Sequence, residues 1–216
     1  MKSNLEIKYF KNTKSSKIFE VKNMISKDVS DVIIKESEKM SGWTNVGFYK
    51  AKILGQIDEH PEIDGLFKDY VKSYINDTSK ILSKEFDKNV CLKMIYIQKW
   101  PIGSYAVRHN DTHNFDGSPA FVYCKVSTVL YLYNDFLGGN LEFPDHDISI
   151  QPNQGSAYMF DGGPENEHQV TEIIDGDRYT IVTFWDFIDS EYTKEDLELS
   201  EQSQQRWLKF IKENYD

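Results

Sequence analysis

Apolar and polar residues alternate along two short segments near the start of the chain, 5–10 and 17–23, and this period of two predicts β-strands. From Ser26 to about Met40 the apolar residues instead recur with helical spacing. A second helical stripe begins near Pro61, a residue type favoured in the first turn of a helix. Its apolar positions are Ile63, Leu66, Phe67, Tyr70, Val71, Tyr74, Ile75, Ile81 and Leu82. We expect this stripe to pack against a sheet.

From Val90 onward the pattern changes to short strands separated by clusters of Gly, Pro, Asn and Asp. The predicted strands cover residues 90–100, 120–133, 140–144, 147–152, 156–160, 168–174 and 178–187. This order predicts an α+β, mainly β fold: a double-stranded β-helix, or jelly roll, with helices from the N-terminal third and the C-terminus packed outside it. The tail from about Thr193 predicts one or two amphipathic helices.

Length and composition narrow the class of protein. A chain of 216 residues predicts one domain, 1–216, with its jelly-roll core at about 90–188. The N-terminal segment carries no apolar run long enough for a signal peptide or a membrane helix, so we expect a cytoplasmic protein without a membrane partner. The two cysteines, Cys91 and Cys124, lie far apart within apolar runs, which predicts free thiols.

The net charge of −10 and the pI near 5.0 show an acidic protein, which affects the partners that it can bind. Affinity for nucleic acid comes mainly from Lys and Arg side chains that neutralise phosphates. We therefore expect no nucleic-acid partner. The sequence indicates no particular oligomeric state.

The candidate chemistry lies at His109 and Asp111, which would point to the same face of an extended strand. Such a pair alone is usually a surface polar cluster. With His168 as a third ligand, it gives the two imidazoles and one carboxylate that bind non-heme Fe(II), although zinc accepts the same residue types. His113 is the rival third ligand. Residues 112–119 are turn-like, which ends the strand near Asp111 and favours His168.

Three segments, WPIGSYAVRHND, STVLYLYNDFLGGNLEFP and EHQVTEIIDGDRYTIVTFW, occur in this order along the chain. Together they resemble the Fe(II)/2-oxoglutarate oxygenases of the prolyl 4-hydroxylase type, over about residues 90–188. The resemblance implies that His109, Asp111 and His168 are iron ligands. It also implies that Arg178 holds the distal carboxylate of 2-oxoglutarate, for which a planar guanidinium is suited.

Other residues near these motifs follow or depart from the family pattern. Thr180, two residues after Arg178, would add a hydroxyl to the same carboxylate. Tyr131 matches a co-substrate tyrosine in one register of its strand, and Leu132 takes that place in the other. We favour Tyr131. Where the family often has a tyrosine, this chain has Trp100, whose indole donates one hydrogen bond and accepts none.

The resemblance implies an enzyme that hydroxylates an unactivated C–H bond with Fe(II), 2-oxoglutarate and O2, with ascorbate for sustained activity. Asp111 argues against the halogenating relatives, which lack this ligand. The missing basic surface and the absence of a second arginine six residues after Arg178 argue against the DNA-repair relatives.

The substrate is narrowly predicted to be peptidyl and of prolyl type. The alternatives are a hydroxylase of a free amino acid or small metabolite, and a jelly-roll binding module without catalysis. Segments 41–57 and 112–121 are candidate lids. Their aromatic residues, which would line a pocket or simply pack, are Trp43, Phe48, Tyr49 and Phe115.

Overall fold

The computed structural model of the protein describes residues 5–40, 43–46, 49–53, 65–133 and 135–215. The helices are α1 (Lys27–Glu38), α2 (Gly65–Phe86) and α3 (Lys194–Tyr215). The strands are β1 (Glu6–Asn12), β2 (Lys17–Lys22), β3 (Thr44–Val46), β4 (Tyr49–Ile53), β5 (Val90–Trp100), β6 (Ala106–His109), β7 (Val126–Tyr131), β8 (Leu137–Gly138), β9 (Leu141–Phe143), β10 (Ile148–Ile150), β11 (Ala157–Asp161), β12 (His168–Val170), β13 (Ile173–Asp175) and β14 (Arg178–Phe187).

Two antiparallel sheets dominate the described residues. The larger has the order β1-β2-β11-β7-β14-β5-β4-β3, and the smaller has the order β10-β9-β12-β6. A third sheet pairs β13 with β8. This mainly β arrangement with three helices is the double-stranded β-helix predicted from the sequence, and that prediction is confirmed.

The central strand β14 separates two hydrophobic clusters. Its odd-numbered positions, Tyr179, Ile181 and Trp185, join a cluster with buried residues of α1 and α2. Val182, on the opposite face, belongs to a second cluster that includes residues of the smaller sheet, such as Phe143 and Val170. Because side chains alternate along a strand, β14 contributes at once to the helix-facing core and to the interior of the jelly roll.

Local sequence signals explain where the helices begin and pack. The Ser26 side chain caps α1 by accepting a hydrogen bond from the backbone N–H of Val29. Five positions of the predicted α2 stripe are buried, Phe67, Val71, Tyr74, Ile81 and Leu82, together with Thr78, whereas Leu66 is exposed. At the start of α3, Thr193 and Asp196 each accept a hydrogen bond from the other's backbone N–H, which satisfies two free donors of the first turn.

The structure corrects three predicted segments. Within 120–133 only Val126–Tyr131 is a strand, because the preceding residues turn, with the N–H of Cys124 donating to the carbonyl of Phe121 at 2.8 Å. Residues 168–174 divide into β12 and β13. The tail forms a single helix, in agreement with the prediction of one or two, and Pro61 lies outside the described residues.

The third correction concerns segment 41–57, which the sequence indicates to be turn-like. Its described part contains the paired strands β3 and β4, and β4 extends the large sheet by pairing with β5. Both cysteines are free, as predicted, with Cys124 buried and Cys91 half-buried. Among the described residues, none of the helices has the length and apolar character needed to cross a bilayer.

Glycine at position 138 is required by both backbone conformation and space. Its φ is +76°, and a Cβ would lie 1.9 Å from the carbonyl oxygen of Glu172. Gly103 has a similar φ of +84° with nothing within 4 Å of its Cβ position. The two positions therefore separate the cost of the backbone conformation from the cost of the clash.

We predict that Gly103→Ala lowers the free energy of unfolding by about 1 kcal/mol, the cost of a left-handed L-residue. Gly138→Ala should lower it by about 2–5 kcal/mol, because displacement of backbone adds to that strain. Urea unfolding of both variants measures the difference. Equal losses would show that the β8–β13 pairing relaxes around the new methyl group.

Candidate functional site

Two antiparallel strands bring His109 and His168 together. β6 pairs with β12, and the two histidines are direct partners in the register. Asp111 lies beyond the end of β6, where its backbone N–H donates to the carbonyl of Gly162 at 2.9 Å. The prediction of one strand carrying both His109 and Asp111 is thus corrected. The chain turns after His109, because the Asn110 side chain accepts hydrogen bonds from the backbone N–H groups of Thr112 and His113.

The three side chains can hold one metal ion. Their ligand atoms all lie within 4.8 Å of one another. His109 Nε2 is 3.9 Å from Asp111 Oδ1, and His168 Nε2 is 3.9 Å from Asp111 Oδ2. This convergence fits the ligand set of non-heme iron.

Backbone carbonyls fix the histidine tautomers. His109 Nδ1 lies 2.7 Å from the carbonyl oxygen of Val107, and His168 Nδ1 lies 3.0 Å from that of Asn166. A carbonyl only accepts, so each Nδ1 carries a proton, and in the neutral form of each ring the Nε2 atom keeps a lone pair for a metal. Partners of this kind orient the ligands of metal sites.

Burial keeps His168 neutral. Desolvation, with the neighbouring His109 adding to it, lowers the pKa of His168 to about 4. Its ring centroid lies 4.4 Å from that of His109. The carbonyl that orients it belongs to Asn166, a fully buried residue whose side chain accepts from Ser16 Oγ at 2.6 Å and donates to the carbonyl of Asp161 at 3.0 Å. The neutral, fixed imidazole is ready to bind a metal.

Ser127 is a site residue that the sequence reasoning missed. Its hydroxyl donates to Asp111 Oδ2 at 2.5 Å. It lies on β7 four residues before Tyr131, and therefore on the same face of that strand. Strand alternation from Tyr131 would have placed Ser127 on the inner face, although not its contact with Asp111.

Arg178 is buried on the inner face of β14, at 2% exposure. Its Nη2 donates to the Tyr131 hydroxyl at 2.7 Å, and its guanidinium carbon lies 4.7 Å from the ring centre of Trp100 and 4.8 Å from that of Tyr131. Among the described residues, its Nε and Nη1 have no hydrogen-bond partner. Buried charged donors left without acceptors are costly, and a ligand carboxylate would satisfy both in bidentate geometry.

The structure also decides the register around Arg178. Tyr131, and not Leu132, lies against the guanidinium, since Leu132 packs in the helix-facing cluster. Thr180 is fully buried, and its hydroxyl donates to Gln98 Oε1 at 3.4 Å. Their contacts with a co-substrate stay predictions.

A cavity of about 750 Å³ is lined by two of the three potential ligands, His109 and Asp111. Its lining residues are Met94, Tyr96, Gln98, Tyr105, Ala106, Val107, His109, Asn110, Asp111, His113, Asn114, Phe115, Gly117, Ala120, Phe121, Cys124, Pro164, Glu167 and Phe184. The lining is largely apolar and aromatic. Within the described part of the chain, it contains no lysine or arginine.

Of the two candidate lids, 112–121 contributes to the cavity wall, and Phe115 is 84% exposed there. Trp43, from the other segment, does not line the cavity; it packs against the helix-facing cluster and donates to the carbonyl of Ser37. Phe48 and the Tyr49 side chain lie outside the described residues. His113, the rival ligand, also lines the cavity but is not part of the converging triad.

Helix α3 anchors the 112–121 wall. The hydroxyls of Ser200 and Ser203 donate to the carbonyls of Ala120 and Pro119, and Asn114 Nδ2 donates to Ser203 Oγ at 2.8 Å. Both serines are buried. The C-terminal helix therefore fixes the backbone of a segment that borders the cavity.

Comparison with known proteins supports this geometry. Residues 95–186 match the family model described as the 2OG-Fe(II) oxygenase superfamily. Prolyl 3-hydroxylase 1 of Rattus norvegicus is 35% identical over 83 residues, which are 36% of this chain and 11% of that protein. The chain thus spans about a tenth of the length of the curated relatives it matches.

Solved structures show the same fold. The viral collagen prolyl hydroxylase of Paramecium Bursaria Chlorella virus-1, in its 2OG complex, superposes with a TM-score of 0.62 at 14% identity, over 80% of this chain and 96% of that one. A Trichoplax adhaerens prolyl hydroxylase in complex with a hypoxia inducible factor peptide fragment gives 0.58 at 17% identity, over 86% of each chain.

Residues 95–186 thus resemble the 2OG-Fe(II) oxygenases, and prolyl hydroxylases among them, which confirms the predicted resemblance. Because the match to the curated relatives covers 36% of this chain and 11% of those proteins, the enzyme activity and the use of Fe(II) and 2-oxoglutarate stay proposals. The individual ligand residues and the need for ascorbate stay predictions.

We predict that His109→Ala, Asp111→Ala and His168→Ala each abolish tight binding of Fe(II), because each removes one of three converging ligand atoms. His113→Ala is the matched control and should bind the metal as the wild type does. Anaerobic calorimetric titration of the four variants measures this. Loss of the metal in His113→Ala with retention in His168→Ala would show that the triad is wrong.

We predict that Arg178→Gln weakens 2-oxoglutarate binding by about 2–5 kcal/mol, the typical cost of leaving a buried charge without its partner. Fe(II) affinity should stay unchanged, because Arg178 contributes no ligand atom. Titrating 2-oxoglutarate into the metal-loaded variant under argon tests this. An unaltered dissociation constant would remove Arg178 from the co-substrate site.

Proposed function

We propose that the protein is an Fe(II)- and 2-oxoglutarate-dependent dioxygenase that hydroxylates a peptidyl substrate, with proline the first candidate residue. The observation that carries the proposal is that two features occur together. His109, Asp111 and His168 converge, and the buried Arg178 has no partner for its Nε and Nη1 among the described residues. A metal and a carboxylate ligand would satisfy both features.

Strand β7 relates the two features in space. Ser127, at one point of its inner face, binds Asp111, and Tyr131, four residues further along the same face, binds Arg178. Four residues of strand span roughly 13 Å. A five-carbon dicarboxylate with one end at the triad and the other at Arg178, together with the side chains that reach toward it, fits this span.

When bound, Fe(II) and 2-oxoglutarate supply the oxidising chemistry that places one atom of O2 on the substrate and the other in succinate. The protein's own residues bind and orient. His109 and His168 offer lone pairs fixed by backbone carbonyls, and Ser127 holds the Asp111 carboxylate. Arg178 and Tyr131 hold the distal carboxylate in surroundings from which burial excludes water.

The cavity favours a peptide over a free amino acid. A free amino acid carries a carboxylate that needs a cationic partner, and the described cavity lining contains no lysine or arginine. Arg108, which directly precedes His109, is already paired with Glu167 and Asp145 at 2.6 Å each. Val107 and Phe115 expose apolar surface at the cavity, at 57% and 84%. A neutral peptide backbone with apolar side chains suits such a surface.

Relatives support the same choice. The curated relatives are prolyl 3-hydroxylases, and the Trichoplax structure holds a peptide fragment. These facts describe those proteins, and we extend the peptidyl substrate class to this chain as a proposal. O2 as co-substrate and a requirement for ascorbate are part of it.

We predict that the protein with Fe(II), 2-oxoglutarate and ascorbate forms succinate and adds one oxygen atom to proline-containing peptides. Mass spectrometry of a peptide panel and of the twenty free amino acids measures the product. The matched control is the Asp111→Ala variant, which should form neither product. Stoichiometric oxidation of a free amino acid with all peptides unchanged would favour the small-molecule alternative, and no turnover of any kind would favour a binding module.

A further inference from the structure

Gln98 occupies the boundary between the Arg178 region and the open cavity. It lies on β5, where it pairs with Thr180 of β14, while its neighbour on the same face, Trp100, pairs with Arg178. Of these four side chains, Gln98 lines the cavity. It is half-buried, so part of its amide is accessible to a ligand.

Two donors fix the orientation of the Gln98 amide. Trp100 Nε1 donates to Gln98 Oε1 at 3.0 Å, and Thr180 Oγ1 donates to the same oxygen at 3.4 Å. An indole N–H cannot accept a hydrogen bond, so the amide oxygen and not the amide nitrogen must face Trp100. Trp100 thus has a structural consequence: it turns the NH2 group of Gln98 away from the Trp100 indole.

The Gln98 NH2 group has no acceptor within the residues that the structure describes. Its oxygen is satisfied twice, whereas its two N–H donors are available at the cavity surface. A half-buried amide in this state gains by donating to an oxygen of a bound ligand. The neighbouring cavity surface is mostly apolar, so such a donor would select the position of one oxygen atom.

We propose that Gln98 is a specificity-determining residue that donates a hydrogen bond from Nε2 to a carbonyl or carboxylate oxygen of a bound ligand, and that Trp100 sets this orientation. Two ligands of the proposed function contain such an oxygen: 2-oxoglutarate and the peptide substrate. For the peptide, the inference rests on the proposed function. For 2-oxoglutarate, binding can be measured without turnover.

The experiment compares Gln98→Leu and Gln98→Glu with the wild type. Gln98→Glu keeps an oxygen for Trp100 and Thr180 and replaces only the donor by an acceptor, so it should bind the ligand more weakly than Gln98→Leu. Gln154→Leu is the matched control, because Gln154 donates to the Leu132 carbonyl and does not line the cavity. Binding of Mn(II) and thermal unfolding verify that each variant is folded.

Two readouts separate the two ligands. Anaerobic titration of 2-oxoglutarate into the Mn(II)-loaded variants should show a dissociation constant raised about tenfold or more if Gln98 contacts a carboxylate. If Gln98 contacts a peptide carbonyl, that constant stays unchanged, and the KM for a proline-containing peptide rises about three- to tenfold. Either result supports the donor role. Unchanged values for both ligands in both variants would overturn it.

The role of Trp100 is tested by a double-mutant cycle. Trp100→Phe keeps an aromatic face for Arg178 but removes the indole donor, so it should weaken the same ligand in the same direction as Gln98→Leu. The double variant should be no weaker than Gln98→Leu alone, since Trp100 acts through Gln98. Additive losses would overturn the orienting role. A wild type that binds 2-oxoglutarate yet forms no succinate with any peptide contradicts the proposed function, and the 2-oxoglutarate titration then decides the role of Gln98.

Discussion

The register of β14 between β5 and β7 is the constraint on which the site depends. Arg178 pairs with Trp100, and Thr180 pairs with Gln98 on one side and Tyr131 on the other. Because side chains alternate, a shift of one residue would turn Arg178 into the helix-facing core and expose that core to the interior. The large apolar residues Ile181 and Trp185, buried against the helices, oppose this shift. Ordinary core packing therefore holds Arg178 and Thr180 on the inner face of β14.

The interior of the jelly roll differs in kind from the helix-facing core. It contains a buried guanidinium with two nitrogens that have no partner in the described residues, and a buried imidazole whose pKa is lowered by desolvation. Both cost folding free energy in the absence of a ligand. The aromatic faces of Trp100 and Tyr131 offset part of this cost for Arg178. These groups thus lower the stability of the fold without a ligand, and the same unmet needs raise its affinity for one.

The side chains that converge at the candidate site could be predicted from the sequence, because a His-x-Asp pair, a distant histidine and an arginine ten residues further occur in the order of a known family; their roles stay predictions. Strand alternation placed Thr180 on the same face as Arg178, and the family resemblance pointed to Tyr131. The supporting residues Ser127, Asn166 and Gln98 were missed, since serine and amide side chains occur everywhere on strands and their roles arise from contacts between distant segments. Similarly, residues 120–125 are as apolar as a strand but turn, and β3 and β4 form in a segment rich in turn residues because β5 offers an edge for pairing.

Helix α3 holds the cavity wall through main-chain acceptors. Ser200 and Ser203 donate to the carbonyls of Ala120 and Pro119, groups that every residue type possesses. Side chains elsewhere in 112–121, such as the exposed Phe115, can thus be exchanged without loss of these two anchors. In evolutionary terms, the segment is free to diversify: descendants of this chain can acquire a different cavity lining by substitution in one wall, while the converging triad and the anchoring serines stay the same.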